Sequence, residues 1–535
     1  MASCGEKRGV EVMEANRNVT IGIDLGTRNA LCAVLDGDRP VVIPNRWGRA
    51  STPSVVGWDE GWIVGEDAVR LSLRKPSPVW WDLKRKVGGD FRAFCGGKIY
   101  KAENLLTPLL GVLREDAEAF LGQFVSSCVL AVPAGFSLSQ RKAMTQAAEE
   151  AGLRDVRTVA EPTAAALAFG REGRFLILDF GAGTVDVSVV ESEGGVWQVL
   201  ESVGSARIGG YDFDLALAEW LKERLGFGAL PADDPRWRTL ILEAEAIKIT
   251  LSSSRSCDWT PPAMGKGSFS YPSLRIERED LERMVRFSIR RIVHVVQKMW
   301  EQYKPEHLLF VGGSSRMPLL REILEKEVTH PERLSLCAEE SIATGAALYT
   351  QGGKKRLLLD VLSGDIGFLR DGAPEILIPA GTPVPFTART TFVPLRSGQM
   401  EVPVFQKLAD MRGDAQEERT VLSLLELEVT EGLEVELRCV LSAAGSISFS
   451  VKHKNALAET PLSPKNENME ATSDFSSRQR IRALKLRLTS LEILLSPSHL
   501  DRLHRLVRCI EDVEDEDSSL EILETVVKNL EVALS

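Results

Sequence analysis

The eight cysteines of this chain, at positions 4, 32, 95, 128, 257, 337, 439 and 509, lie far apart, and none stands in a CxxC pair. Thiols scattered in this way exclude a disulfide scaffold and fit a reducing compartment. Cys32 and Cys128 sit inside apolar strand patterns, where cysteine behaves as a small hydrophobe. The six histidines make no HExxH and do not pair with nearby cysteines, so zinc and metalloprotease readings fail. There is no GxxxxGK[ST], no GxGxxG opening a βαβ unit and no GxSxG elbow, which removes the P-loop, dinucleotide and serine-hydrolase readings. No apolar run approaches the roughly 20 residues of a membrane span. Residues 1–18 are polar without an apolar core, so no signal peptide is expected. Long basic tracts are also missing: 76 acidic residues face 65 basic ones, a net charge of −11. Nucleic-acid binding, which depends on phosphate neutralisation, is disfavoured. A cytoplasmic protein with no membrane and no nucleic-acid partner is the expectation.

What is there is ordinary globular composition, 44% hydrophobic and 26% charged over 535 residues, too long for one core. From Val19 to about Thr350 strands and amphipathic helices alternate, the pattern of α/β architecture. Helices are predicted over Gln140–Ala151, with Gly152 as the stop, and over Asp212–Leu225. Another opens at Glu161-Pro162-Thr163, with proline suited to the first turn. Glu277–Tyr303 carries Leu281, Met284, Val285, Ile289 and Ile292 on one face. The texture changes at the polar, Gly-bearing stretch 351–356, followed by the apolar string Leu357 to Val361. Turn signals and alternating stretches then predict an all-β domain ending near Asn455. Residues 456–475 read as a Pro/Ser/Asn/Glu-rich linker and 476–535 as a short helical domain.

Two stretches 155 residues apart repeat one pattern. Ile21-Gly22-Ile23-Asp24-Leu25-Gly26-Thr27 and Ile177-Leu178-Asp179-Phe180-Gly181-Ala182-Gly183-Thr184-Val185-Asp186 are each an apolar strand, an Asp, a Gly-centred turn with Thr, and a second β-rich run. Such a hairpin turn exposes backbone N–H groups, which form a concave anion site. Two copies suggest two half-sites closing on one polyphosphate, with Asp24 and Asp186 available to a divalent cation. The alternative is two ordinary buried hairpins. Thr27 and Thr184 place hydroxyls beside the turns, and Lys84 could bring a point charge to a γ-phosphate or orient the attacking water. Against that, a lysine in a basic triplet is usually solvated. Glu161 is a candidate water-positioning carboxylate. The Gly312-Gly313-Ser314-Ser315-Arg316 turn follows an apolar strand, so it could pass close to a nucleoside while Arg316 stacks on the base.

IGIDLGTRNA, AVPAGFSLSQR, EPTAAALAFG, LDFGAGTVDVSVVE, IGGYDFD, FVGGSSRMP and LLLDV resemble, in order, signatures of the DnaK-type 70-kDa heat-shock chaperones. The resemblance covers residues 19–361 closely and the β domain loosely. It implies a two-lobed actin-like α/β ATPase domain (19–352), an interdomain linker (353–361), a β-sandwich peptide-binding-like domain (362–455) and a shortened α-helical lid. The tail 1–18 stands outside it. ATP/ADP and Mg²⁺ are the implied cofactors, and the implied function is ATP-driven binding and release of unfolded polypeptide. A J-domain co-chaperone and a nucleotide exchange factor are the implied helpers. By the same resemblance Lys84, Glu161, Asp24, Asp186 and Thr184 are catalytic, with Asp24 and Asp186 holding the metal through water. The nucleotide is contacted by Gly26, Thr27, Arg28, Asp179, Gly181, Ala182, Gly183, Thr184, Gly209 and Gly210. Glu245, Lys248, Ser252, Gly312, Gly313, Ser314, Arg316 and Glu339 complete the adenosine side. Pro133, Arg141, Arg157 and Leu357, Leu358, Leu359 and Asp360 match the interdomain relay. Ile249 matches bacterial members, so a bacterial protein is expected.

The chain departs from the pattern in places. Arg28 replaces a second threonine in the first turn. Ala182 replaces the middle glycine of the second, which fits only if its φ is negative. Gly135 stands where the family has a tyrosine beside the relay proline. These departures keep a second function open, a nucleotide-gated scaffold with weak or no hydrolysis that binds a dedicated partner. A small-molecule kinase of the same superfamily is a third reading, but it has no need of the linker or the β domain.

Overall fold

The computed structural model describes residues 19–74, 78–205, 208–231, 234–262, 272–328, 332–334, 339–350, 357–359, 362–370, 373–408, 419–441, 447–453 and 460–462. The expected tail 1–18, the hinge 351–356, Asp360 and the helical segment 476–535 lie outside the described residues.

Two sheets share one plan. In the first, β1 (Thr20–Leu25), β2 (Asn29–Asp36), β3 (Arg39–Ile43), β4 (Ser127–Val132) and β5 (Asp155–Ala160) take the order β5-β4-β1-β2-β3. The β1 strand is parallel to β4 and antiparallel to β2. In the second, β6 (Gly173–Phe180), β7 (Val185–Glu193), β8 (Val196–Ser205), β9 (His307–Val311) and β10 (Glu332–Leu334) take the order β10-β9-β6-β7-β8. Here β6 is parallel to β9 and antiparallel to β7. The repeated sequence pattern is therefore a repeated topology. Central strands β4 and β9 are buried along their whole length, which is why they read as continuous apolar runs and not as alternation. A sixth strand, β11 (Leu357–Leu359), runs parallel to the start of β8. The apolar string after the hinge is thus docked on the edge of the second sheet.

Helices cover the sheets. Besides α1 (Glu66–Arg74), α2 (Ala102–Leu121) and α3 (Leu138–Glu150) pack on the first sheet, with Leu105, Leu109, Met144 and Ala147 against Ile21, Ile23 and Leu130. The α3 helix begins at Leu138, two residues before the expected start. Gln140 sits in its first turn, where it closes a capping box with Ser137. Next comes α4 (Glu161–Phe169), opened by Pro162 as read from the sequence. On the second sheet lie α5 (Gly210–Arg224), α6 (Pro235–Ser253), α7 (Arg278–Tyr303) and α8 (Pro318–Glu327). The last helix, α9 (Ser341–Tyr349), joins α4 in a cluster that includes Val129 and Ala131 of one sheet and Phe175, Ile177 and Val311 of the other. A side chain at Gly345 would collide with the Ala164 backbone, so these two small-residue helices approach closely at the pivot between the lobes. Among the described residues no helix is long and apolar enough to cross a membrane.

Beyond the linker two four-stranded antiparallel sheets enclose one core. The first has β12 (Gly364–Arg370), β13 (Ala373–Ile378), β15 (Gly398–Leu408) and β16 (Arg419–Val429). The second has β14 (Phe386–Phe392), β17 (Val435–Leu441), β18 (Ile447–His453) and β19 (Thr460–Leu462). Strand β19 pairs with Phe449–Val451. This corrects the expected boundary at 455, because part of the predicted linker 456–475 closes the sheet. Leu138 of α3 packs against this core. Its N–H donates to Gln406 Oε1 at 3.1 Å, and the Ser363 hydroxyl donates to the Phe136 carbonyl at 2.9 Å.

Candidate active site

Both glycine turns point into the cleft between the sheets. In the first, the Gly26 carbonyl accepts the Ser54 hydroxyl at 2.7 Å. The second is clamped by the start of α5, where Gly210 N–H donates to Gly181 O at 3.0 Å and Tyr211 N–H to Ala182 O at 2.7 Å. Gly209 lies so close to the Ala182 backbone that a Cβ would overlap it, and Gly210 is crowded likewise by the Ser314 hydroxyl. Ala182 has no positive φ, so the methyl that replaces the expected glycine strains nothing. The Thr27 side chain lies against Gly183, leaving no room for a Cβ there. The two turns therefore meet, one from each lobe.

Beneath them four carboxylates surround one lysine. Lys84 Nζ lies 2.5 Å from Glu161 Oε1, with both side chains 5% exposed. The solvated reading of this lysine is thereby overturned. Lys84 is carried on a single turn, Leu83–Lys86, that follows Asp82 in the left-handed region (φ 55°). Asp179 stands directly opposite Asp186 in the β6–β7 ladder, and Asp24 closes the group from β1. Burial, opposed by Lys84 and reinforced by Glu161, lifts Asp24 to about 7. Asp186 is raised to about 7 by burial and then by Glu161, against Lys84 and the Thr184 hydroxyl. Asp179 is pushed well above the usual carboxylate range by burial and by Glu161, Asp186 and Asp24. Lys84 is lowered by burial, but Glu161 and Asp24 outweigh that and hold it above its ordinary value. One lysine does not offset four carboxyl groups, so the three aspartates are driven toward their protonated forms.

The residues expected on the adenosine side lie on the second lobe. On α6, Lys248 bonds Asp214 at 2.7 Å and the Gly210 carbonyl at 2.9 Å. Burial lifts Asp214 to about 6 despite that lysine. The Ser252 hydroxyl bonds the Lys248 carbonyl within the helix, at 3.0 Å. Gly312 follows β9 with φ +76°, and a Cβ there would stand 2.5 Å from the Phe180 carbonyl, a position only glycine fills without strain. Gly313 to Arg316 form a short turn with Ser314 buried, and Arg316 reaches Glu339 at 3.6 Å on an exposed rim. Arg28 turns away from the first-turn phosphate position toward Glu245 of α6. Its Nε lies 3.2 Å from both carboxylate oxygens and its Nη2 2.5 Å from Oε2. Burial opposes the Arg28 charge, yet Glu245, Asp214 and Asp82 raise its pKa.

The positions expected to form an interdomain relay lie beyond this group. After Pro133, the Gly135 backbone passes Asp186, where a Cβ would stand 3.7 Å from Oδ1. Arg141 donates to the carbonyls of Ala134 at 3.2 Å and Phe136 at 3.4 Å. Arg157 lies over the Tyr349 ring at 5.7 Å, on the far side of the first sheet's edge strand. Sequence reasoning missed Ser54, Trp81, Tyr211 and Asp214. Asp214 and Tyr211 fall inside the IGGYDFD segment and Trp81 three residues before Lys84, so proximity to those motifs was the available signal. A cavity of about 410 Å³, lined by Arg46, Trp47, Trp62, Glu66 and Asp116, lies elsewhere on the first lobe.

A two-lobed fold whose mirrored hairpins close over a lysine and four acids defines an ATPase of the actin-like class. Residues 20–421 match the family model described as "Hsp70 protein". "Chaperone protein DnaK" of Mycoplasmopsis pulmonis is 34% identical over 414 residues, taking in 72% of this chain and 68% of that protein. The DnaK of Mesomycoplasma hyopneumoniae is 32% identical over 477 residues, 84% of this chain and 79% of the relative. That of Thermotoga neapolitana is 32% identical over 421 residues, 73% and 70%. The chain belongs to the Hsp70 family: it is an ATP-dependent chaperone of the DnaK type, and an ATPase.

Proposed function

We propose that ATP binds where the two glycine turns meet and that Lys84 and Glu161 are the residues that act on its γ-phosphate and the attacking water. The convergence of one buried lysine with Asp24, Glu161, Asp179 and Asp186 directly beneath those turns carries this reading. Among the described residues no three acid, histidine or cysteine side chains are placed to chelate a metal outright. Mg²⁺ keeps most of its waters and takes one or two carboxylates plus phosphate oxygens. Asp24 and Asp186 are the residues that would hold it, and their buried, under-neutralised oxygens suit a hard cation. When bound, Mg²⁺ neutralises phosphate charge. Lys84 places a fixed cation in a water-poor pocket, where its field is stronger than in solution. Glu161, held by Lys84, positions a water by accepting its proton in a hydrogen bond.

The β sandwich is the element that grips extended apolar polypeptide, by strand-like contacts and side-chain pockets. Docking of Leu357–Leu359 on β8 and of Leu138 against the sandwich core couples that grip to the nucleotide. For ATP to drive the cycle it must bind the docked arrangement more tightly than the released one. A J-domain co-chaperone and an exchange factor act on the cycle in the cytoplasm. ATP turnover measured with and without an unfolded polypeptide and a J-protein tests this. Stimulation by either supports the chaperone cycle, and stimulation by neither removes it in favour of a nucleotide-gated scaffold.

A further inference from the structure

The first phosphate turn holds one side chain that the nucleotide chemistry leaves unused. Arg28 belongs to the first lobe and Glu245 to the second, 217 residues away, and their side chains join across the cleft by three N–H···O contacts. The guanidinium also lies over two aromatic rings. Trp81 of the first lobe lies 4.6 Å from it and Tyr211 of the second 5.7 Å. Arg28 is 9% exposed, and its Nη1 is buried with no hydrogen-bond partner. A planar fork in reach of two aromatic rings is an arrangement that lysine or threonine cannot reproduce.

We propose that Arg28 is a cleft-bridging residue that sets how long nucleotide stays bound: the lobes cannot part to release ADP until the Arg28–Glu245 pair is broken. This rests on the nucleotide site argued above. Nucleotide leaves when the turns separate, and the turns belong to different lobes. A bond between the lobes beside the turns therefore adds to the barrier for opening and leaves the phosphate contacts themselves alone. The Glu245 side chain is 25% exposed, so the pair is partly screened, but the aromatic cover on Arg28 limits that screening. Truncating one partner of a close, hydrogen-bonded charge pair acts mainly on the off-rate.

The test is stopped-flow release of a fluorescent ADP from the full chain, with Arg28→Thr, Arg28→Lys, Glu245→Gln and the double variant Arg28→Thr/Glu245→Gln. The expected result is release about tenfold faster or more for Arg28→Thr. Arg28→Lys should fall between it and the parent, because the charge stays while the fork is lost. The double variant should be no faster than the quicker single one, since both changes break the same bond. Binding rates should change far less than release rates. If release from Arg28→Thr, which still binds ADP, matches the parent, the bridge has no such role. Additive effects in the double variant would overturn it equally. A parent protein that binds no ADP would instead sink the nucleotide site, and this proposal with it.

Discussion

Lys84 Nζ touches Glu161 Oε1 at 2.5 Å inside a pocket where both side chains are 5% exposed. A buried ion pair of this kind contributes little net stability, because desolvation offsets most of the attraction. Breaking it is another matter, since the surviving partner is left charged and uncompensated.

Lys84→Ala separates hydrolysis from binding. Turnover of ATP should fall about 10²–10³-fold, the usual loss when one preorganised donor is removed. The two glycine turns do not depend on Lys84 for their hydrogen bonds, so ADP binding by calorimetry should persist. A chaperone cycle would stop in this variant, and a scaffold needing only nucleotide binding would continue to work. Unchanged turnover would remove Lys84 from the chemistry.

Gly312→Ala tests the close approach behind the second turn. Position 312 has φ +76°, and the added Cβ would stand 2.5 Å from the Phe180 carbonyl. Backbone cannot yield there as a flexible side chain would. The expected cost is about 1–3 kcal/mol of stability, read as a lowered thermal midpoint, together with weaker ADP binding. Ala182→Gly is the opposite case. Its φ is already negative enough for any residue, so the change should alter stability by less than about 1 kcal/mol and leave turnover within twofold of the parent.

How much of this was readable before any coordinates depended on distance along the chain. The hairpins announced themselves because strand, Asp and Gly turn are contiguous, and they fold as local units from β1 to β2 and β6 to β7. The start of α3 was misplaced by two residues because Gln140 is a fine helix former that here serves as the N3 partner of Ser137. The last strand of the sandwich was read as linker because Thr460–Leu462 is short and carries Pro461, a residue that sheets tolerate at an edge. Lys84 is legible as a candidate from its motif but not from its basic triplet alone, and only the fold brings Glu161 to it from 77 residues away. The destination of Arg28 was least legible. No local pattern encodes a partner 217 residues off on the opposite lobe.

The linker strand offers a backbone test. Leu357–Leu359 adds a parallel strand to Val196–Gln198, and a proline cannot donate to that ladder. Leu358→Pro should detach the segment, and hydrogen exchange at 196–198 should speed up while exchange in the core strand Ile177–Phe180 stays slow. Turnover should lose its response to added polypeptide. Unaltered exchange at 196–198 would mean that the docked strand does not protect β8.

Gln406 is where polar groups join the two domains in a half-buried contact. Gln406 itself is fully buried, its Oε1 accepts the Leu138 N–H at 3.1 Å, and its Nε2 faces the Ser363 hydroxyl at 3.4 Å. That hydroxyl in turn donates to Phe136 O, in the same loop whose Gly135 passes Asp186. The segment 133–138 therefore passes near Asp186 at Gly135 and reaches the sandwich at Leu138. Gln406→Ala removes the acceptor of the half-buried Leu138 N–H, a loss of about 1 kcal/mol borne by the docked arrangement alone, because in the released one water reaches both groups. The equilibrium should shift toward release by about fivefold. Nucleotide-dependent change in tryptophan fluorescence would then shrink while ADP affinity, measured on the same variant, holds to within a few fold. If the fluorescence response survives intact, the Leu138–Gln406 contact is packing and carries no signal.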